Sequence, residues 1–334
     1  MANAAAGVVL GMALAWMGMP SGRAQPGPPE VVDLAPVVVS GVQPGPGLWR
    51  VTGTDGHALW ILGTVSPLPA RLEWRADEVE AVIASADAVL GAPGWTLDAD
   101  VGFFGRLTLM PSAMKAAHDP QGRRLQEILP ADLYARWQPL KQRYLGRGGG
   151  VEKDRPLVAA TRLYAAALEE VGLSPRSGVG EQLKKAYKRR GLTPVVTKLE
   201  IKVEDPRAAL KEVRASTLED VTCLQRTLDV VEHQLPLLVE RANAWAVGDT
   251  AALQQLALKS QYDACIGAIA SSAMGQRRGM TQLDARATEK WLGAARHALA
   301  RHAVTFATVP VHSLVEPGGY LDRLRQAGYS VQDP

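Results

Sequence analysis

The run Ala58-Leu59-Trp60-Ile61-Leu62-Gly63-Thr64-Val65-Ser66-Pro67 constrains this chain more than any other stretch. It is nearly all apolar, then stops at a glycine and at a proline that has no N–H for a sheet ladder. That pattern predicts a buried strand ending at Gly63 and delivering Ser66 to the edge of a sheet. Just before it, Trp49-Arg50-Val51-Thr52 alternates as a second strand, and Thr54-Asp55-Gly56 supplies the turn, since glycine tolerates positive φ. The chain therefore opens its folded part with a β-hairpin.

Of the 334 residues, 47% are hydrophobic and 21% charged, which suffices for a sizeable core. The net charge of +3 argues against an extended nucleic-acid surface, which needs a concentrated positive excess. Ala4 to Met19 is an apolar run followed by Pro20-Ser21-Gly22-Arg23-Ala24-Gln25, with no Lys or Arg ahead of it. Small residues at Gly22 and Ala24 fit a signal peptide, residues 1–24, cut after Ala24. An uncleaved anchor is the alternative, for which the run is slightly short. Cleavage removes Arg23, leaving +2 from the total of +3 and no stable membrane span. Cys223 and Cys265 are the two cysteines. Export lets them close as a disulfide, with two buried free thiols as the alternative. Neither has a Cys-x-x-Cys partner or a nearby histidine suited to a metal.

Residues 25–47, rich in Pro, Gly and Val, read as a disordered leader, and residues 48–334 as a single domain. Arg71 to Ala86 carries Val79, Val82, Ile83 and Ala86 at helical spacing, and the buried strand Asp87–Leu90 follows. Leu107–Leu109 is a candidate strand, and a helix starts at Ala131. A glycine-rich loop spans Gly146 to Gly150. Further helices run from Pro156 to Val171 and from Gly178 to Arg190, each stopped by a glycine. The basic end of the latter, Lys184 to Arg190, reads as a solvated face favoured by the helix dipole.

Ser216-Thr217-Leu218-Glu219 is a capping box opening an apolar stripe, Leu218, Val221, Leu224, Leu228, Val231, Leu235 and Leu238, that Pro236 should kink. Gly248-Asp249 closes it and caps a helix from Thr250. Residues 206–275 thus read as a helical hairpin inserted in or packed on the core, with Cys223 near Cys265. Helix Thr288–His302, strand Val304–Val309, helix Gly319–Ala327 and strand Tyr329–Val331 complete an α/β (α+β) fold with a central mixed β-sheet flanked by helices.

From Leu48 to Val331, the order of these landmarks resembles the TraB/GumN family, which includes the pheromone-shutdown and Tiki proteins. The resemblance is carried by the hairpin, Gly63, the strand reaching Glu200, Trp245, Gly318-Gly319 and Gly328-Tyr329-x-Val331. It implies metal-assisted hydrolysis, with two histidines and a glutamate holding a divalent ion that activates water. The family's first histidine ends a Gly-x-x-His tetrad, which here is Gly63-Thr64-Val65-Ser66. Its glutamate falls on Ala92, five residues after Asp87. Its second histidine, in Val-Gly-x-x-His-Leu, falls on Ser313, while Pro310 takes the glycine and His312 stands one residue early. In an extended chain that offset turns the side chain to the opposite face. Gly180 and Asp205 also depart from the family's Asp and Gln, whereas Glu200 keeps its acid, with a local hydrogen bond as its expected role.

Serine is a feeble ligand for a transition metal and alanine is none. The expectation is therefore an exported pseudoenzyme with no catalytic residues, no bound metal and no cofactor. It would retain a cleft for a ligand, protein or peptide partner in the periplasm or outside the cell. An active hydrolase with a relocated site around Ser66, Glu200 and His312 is the alternative, and a purely structural interaction role a third. Ser66 as nucleophile lacks a Gly-x-Ser-x-Gly elbow and is followed directly by Pro67. His57, His118, His233, His297 and His302 have no ligand spacing, and His57, after the hairpin glycine, should be exposed.

Overall fold

The structure is a computed structural model, and it describes residues 45–98, 110–112, 114–203, 205–208, 211, 218–256, 265, 275–276 and 280–334. The hairpin forms as read: β1 (Leu48–Thr52) and β2 (Ala58–Thr64) pair antiparallel, from Leu48 opposite Leu62 to Thr52 opposite Ala58. Gly56 makes the reversal at φ +83°, where a Cβ would be strained. Leu59 and Ile61 on one face of β2 and Ala58 and Leu62 on the other are all buried, so this strand belongs inside a sheet covered on both sides.

Seven further strands are β3 (Leu68–Pro69), β4 (Ala88–Leu90), β5 (Trp95–Asp98), β6 (Leu173–Ser174), β7 (Leu199–Lys202), β8 (Val304–Pro310) and β9 (Ser330–Gln332). The main sheet has the order β4-β8-β2-β1-β9. β8 runs parallel to both β2 and β4, while β9 is antiparallel to β1, giving the mixed sheet expected. β3 pairs β6 and β5 pairs β7 in two small separate sheets.

The helices are α1 (Asp77–Ser85), α2 (Leu125–Ile128), α3 (Ala131–Leu145), α4 (Pro156–Glu170), α5 (Val179–Arg190), α6 (Leu218–His233), α7 (Leu235–Val247), α8 (Thr250–Gln255), α9 (Leu283–Arg301), α10 (Val311–Val315) and α11 (Tyr320–Gln326). α9 packs on β2, β4 and β8, and α5 lays Tyr187 against Phe306 of β8 with ring centroids 6.1 Å apart. Among the described residues no helix is long and apolar enough to cross a membrane. The disulfide between Cys223 and Cys265 is formed.

Several boundaries differ from the sequence reading. α1 starts at Asp77, not Arg71, because residues 71–76 alternate exposed and buried, with Leu72, Trp74 and Ala76 inward, and a period of two is that of an extended chain. Pro236 does not kink one long helix. α6 ends at His233 and α7 begins at Leu235, placing the proline in a first turn, where its missing N–H has no partner to lose. α9 begins at Leu283, five residues ahead of Thr288. β7 begins at Leu199, so Glu200 lies within a strand rather than at the end of one.

His57 is not a free surface residue. Its Nδ1 lies 2.7 Å from the Leu299 carbonyl and 3.2 Å from Asp55, which ties the hairpin to α9. The basic end of α5 is partly engaged as well, with Arg189 on Glu80 at 2.6 Å and Arg190 on the Ala84 carbonyl at 2.9 Å. Asp249 caps α8 through the Ala252 N–H as expected. The Leu107–Leu109 strand, residues 216–217 of the capping box and the segments 1–24 and 25–44 lie outside the described residues.

Composition did not signal a layer of buried charge between α4 and α6. Arg155, just before α4, meets Asp220 of α6 at 2.6 Å, and both side chains are almost wholly excluded from solvent. Beside them, Asp154 faces His118 and Arg162, each at 3.2 Å, and Glu152 accepts from the Trp137 indole at 3.0 Å. Such pairs add little net stability against an apolar replacement, but removing one partner leaves an uncompensated charge.

Asp119 anchors the preceding loop by accepting from the backbone N–H groups of Gln121 and Arg123 and from the Arg123 guanidinium. Burial alone would raise its pKa, but the Arg123 and Gln121 hydrogen bonds and the Arg123 charge outweigh it and hold the carboxyl below its usual range. A depressed carboxylate contributes stability that is present above the unfolded pKa and lost as pH falls through the folded one. Asp119→Asn should therefore lower the melting temperature at neutral pH, and the gap to wild type should shrink as pH drops below about 4. Melting curves showing a gap independent of pH would contradict this.

Candidate functional site

The sheet topology determines where the chemistry-bearing positions meet. β4, β8 and β2 are neighbours in that order and run parallel, so all three end at the same edge. Thr64 lies opposite Pro310, and Leu90 opposite Ala307. Ser66 follows the end of β2, Ala92 the end of β4, and His312 and Ser313 the end of β8. Strands stand about 5 Å apart, so the outer two turns flank the middle one across roughly 10 Å. The crevice beyond the carboxyl ends of parallel strands is where open α/β sheets place ligands.

Side-chain hydrogen bonds pin two of the three exits, those of β2 and β4. Trp245, fully buried on α7, donates its indole N–H to the Gly63 carbonyl at 2.7 Å. One turn earlier on the same helix, the buried Arg241 donates to the Ser66 carbonyl at 2.7 Å. Residues four apart share a helix face, so α7 holds both ends of the tetrad Gly63–Ser66. Gly63 itself has no room for a side chain: a Cβ there would stand 2.6 Å from the Trp49 ring and 2.7 Å from Val311 Cγ2.

At the β4 exit, Trp291 of α9 donates to the Gly91 carbonyl at 3.0 Å, and the Thr197 hydroxyl lies 2.9 Å from that oxygen and 3.0 Å from the Ala92 carbonyl. At the β8 exit, α10 turns back tightly enough that a Cβ on Gly319 would stand 2.4 Å from the Ser313 carbonyl. Tyr164 sits in the Arg241 field. Burial pushes its hydroxyl up to about 12 against the opposing pull of that guanidinium.

The side chains at this edge are Ser66, exposed, and Ala92, His312 and Ser313, half-buried. Residues 311–315 are helical, which corrects the sequence reading of His312. Successive side chains there are rotated by about 100° and not by 180°, so His312 is not turned to the face opposite Ser313. Glu200 does not join them: it lies on β7 of the small sheet, opposite Thr96, with an exposed side chain. Among the described residues no three His, Cys, Asp or Glu side chains gather closely enough to hold a metal ion.

The TraB/PrgY/gumN family model matches residues 47–333. The chain belongs to the TraB/PrgY/gumN family. No curated protein and no solved structure matches it significantly. In this TraB/PrgY/gumN protein the match begins one residue before β1 and ends one residue after β9, so it takes in the whole sheet and its exits. Sequence reasoning used Trp245 only as a landmark and passed over Arg241, Trp291 and Thr197. Arg241 had a signal: a cation four residues before that tryptophan, on a helix whose Leu235, Leu238 and Ala242 are buried.

Proposed function

We propose that this TraB/PrgY/gumN protein is an exported, non-catalytic member of its family that keeps the cleft at the carboxyl edge of β4, β8 and β2 for binding a ligand or peptide. One observation carries the reading. The positions that the family resemblance assigns to a histidine, a glutamate and a histidine sit at the exits of three neighbouring parallel strands, yet they present a hydroxyl, a methyl and a hydroxyl. Those groups do not suit a divalent ion, which wants three or four N, S or charged O donors at about 2.0–2.3 Å. The backbone bonds from Arg241, Trp245, Trp291 and Thr197 support the cleft walls without any ion. Export is supported by the apolar leader with small residues at Gly22 and Ala24 and by the Cys223–Cys265 disulfide.

The relocated-hydrolase reading has weaker support, since Ser66 and His312 share the edge but Glu200 lies on another sheet. Elemental analysis of the purified protein tests the proposal: the expected content is well below one zinc, manganese or cobalt per chain, with chelator leaving the melting temperature unchanged. The triple variant Ser66→His, Ala92→Glu, Ser313→His should gain metal-dependent stabilisation. Near one tightly held metal per wild-type chain would overturn the proposal.

A further inference from the structure

The outer edge of the main sheet is completed by a short segment that follows α5. Val195 turns both backbone groups inward onto β4, its N–H donating to the Val89 carbonyl at 2.8 Å and its carbonyl accepting from the Gly91 N–H at 3.0 Å. In an extended chain, the backbone groups of successive residues point to opposite sides. The N–H and C=O of Val196, and the C=O of Pro194, therefore face outward, and none of them has a hydrogen-bond partner. The Val195 and Val196 side chains are 49% and 65% exposed, and both rank among the large apolar side chains most exposed in the described residues.

A groove of about 380 Å³ adjoins this edge, lined by Lys184, Tyr187, Lys188, Leu192 and Pro194. Its helix carries Lys184, Lys185, Lys188, Arg189 and Arg190, in a chain whose net charge is only +3; Lys184 meets Glu181 at 2.7 Å and Arg189 meets Glu80 at 2.6 Å, so the cations still outnumber the acids that face them. Pro194, with no N–H, and Lys198, just beyond, keep the open edge short. They are the residue types that block continuous pairing with another sheet. The edge is thus suited to a short strand and not to a second copy of the whole domain.

We propose that the 193–196 edge, with the Lys184–Lys188 groove, is a docking site for a short extended peptide segment carrying acidic residues between apolar ones. The peptide adds to the sheet through the Val196 N–H and C=O and the Pro194 C=O. Its apolar side chains cover Val195, on the sheet face away from α5, and its carboxylates, on the opposite face, meet the lysines. Backbone pairing supplies the attachment, and the side-chain pockets and charge supply the selectivity. This edge adjoins the β4 exit, where Val195 accepts from the Gly91 N–H, but it lies on the side of β4 away from β8, Ser66 and Ser313, and the peptide test reads binding at the outward groups of Pro194 and Val196 and not at those residues.

The test is selection of a phage-displayed random nonapeptide library on the folded, disulfide-bonded chain, followed by binding of the most enriched sequence as a fluorescent synthetic peptide. Enrichment of Asp or Glu alternating with apolar residues is expected. The double variant Lys184→Glu/Lys188→Glu and the single variant Val196→Pro should each weaken that peptide at least about tenfold. N-methylating alternate amides of the peptide should do the same with the wild-type protein, so the result does not hinge on a variant that fails to fold. No enrichment, enrichment of basic or purely apolar sequences, or binding untouched by N-methylation would overturn the proposal. So would sedimentation with phosphatidylglycerol vesicles that is lost in the lysine variant but unchanged in Val196→Pro, which would assign the face to a lipid surface.

Discussion

Replacing Trp245 with alanine should lower the free energy of unfolding by about 3–5 kcal/mol. The indole is 1% exposed, packs against Trp74 with ring centroids 5.5 Å apart, and donates to the Gly63 carbonyl at 2.7 Å. Truncation opens a cavity against the central strand and removes that bond at the same time. Trp245→Phe separates the two effects. It keeps most of the ring volume but loses the donor, and should cost about 1–3 kcal/mol. Urea titration with an unchanged slope would report both. A loss below about 1 kcal/mol in the alanine variant would mean that α7 does not hold the tetrad in place. Because Arg241 reaches Ser66 from the same helix face, the Trp245 variants should also loosen the β2 exit, seen as faster amide exchange at Thr64 and Val65.

Opening the disulfide should have an effect of similar size. Cys223 and Cys265 are 42 residues apart, and on the chain-entropy model closing a loop of that length contributes about 4 kcal/mol through the unfolded state. Cys223→Ser/Cys265→Ser, or reductant added to wild type, should lower the melting temperature correspondingly. Cys223 is completely buried on α6, which packs against α4 beside the Arg155–Asp220 pair, so the loss should be felt in that helical layer before the sheet. Equal melting temperatures for the reduced and oxidised protein would show that the bond constrains nothing the fold does not already fix.

The hairpin, the buried strands at 58–64 and 304–310 and the glycine-stopped helices could be read in advance because each is set by local pattern. Runs of apolar residues, periods of two or 3.6, and breakers at fixed places report directly on backbone conformation. The same rules misplaced α1, where Leu72, Trp74 and Ala76 follow a period of two that the Val79–Ile83 helix pattern masked. They also misread Pro236, since a proline inside an apolar stripe looks alike whether it kinks one helix or opens a second. In the site, the positions Ser66, Ala92 and Ser313 were legible only through family resemblance. The groups pinning the Ser66 and Ala92 exits were not, because Arg241, Trp245, Trp291 and Thr197 reach carbonyls more than 100 residues away in the chain.

The sequence alone determined most segments that become strands and helices, that two cysteines were available to pair, and that the positions the family resemblance assigns to donors carry small side chains. Those are properties of residues and their near neighbours. Only the tertiary structure decided that β8, last of the parallel strands in the chain, inserts between β4 and β2 and brings three distant exits to one edge. It also decided that α7 grips that edge and that Val196 is left facing outward beside the lysines of α5. Strand order and edge exposure follow from how whole elements share one core, and no local pattern of residues encodes that.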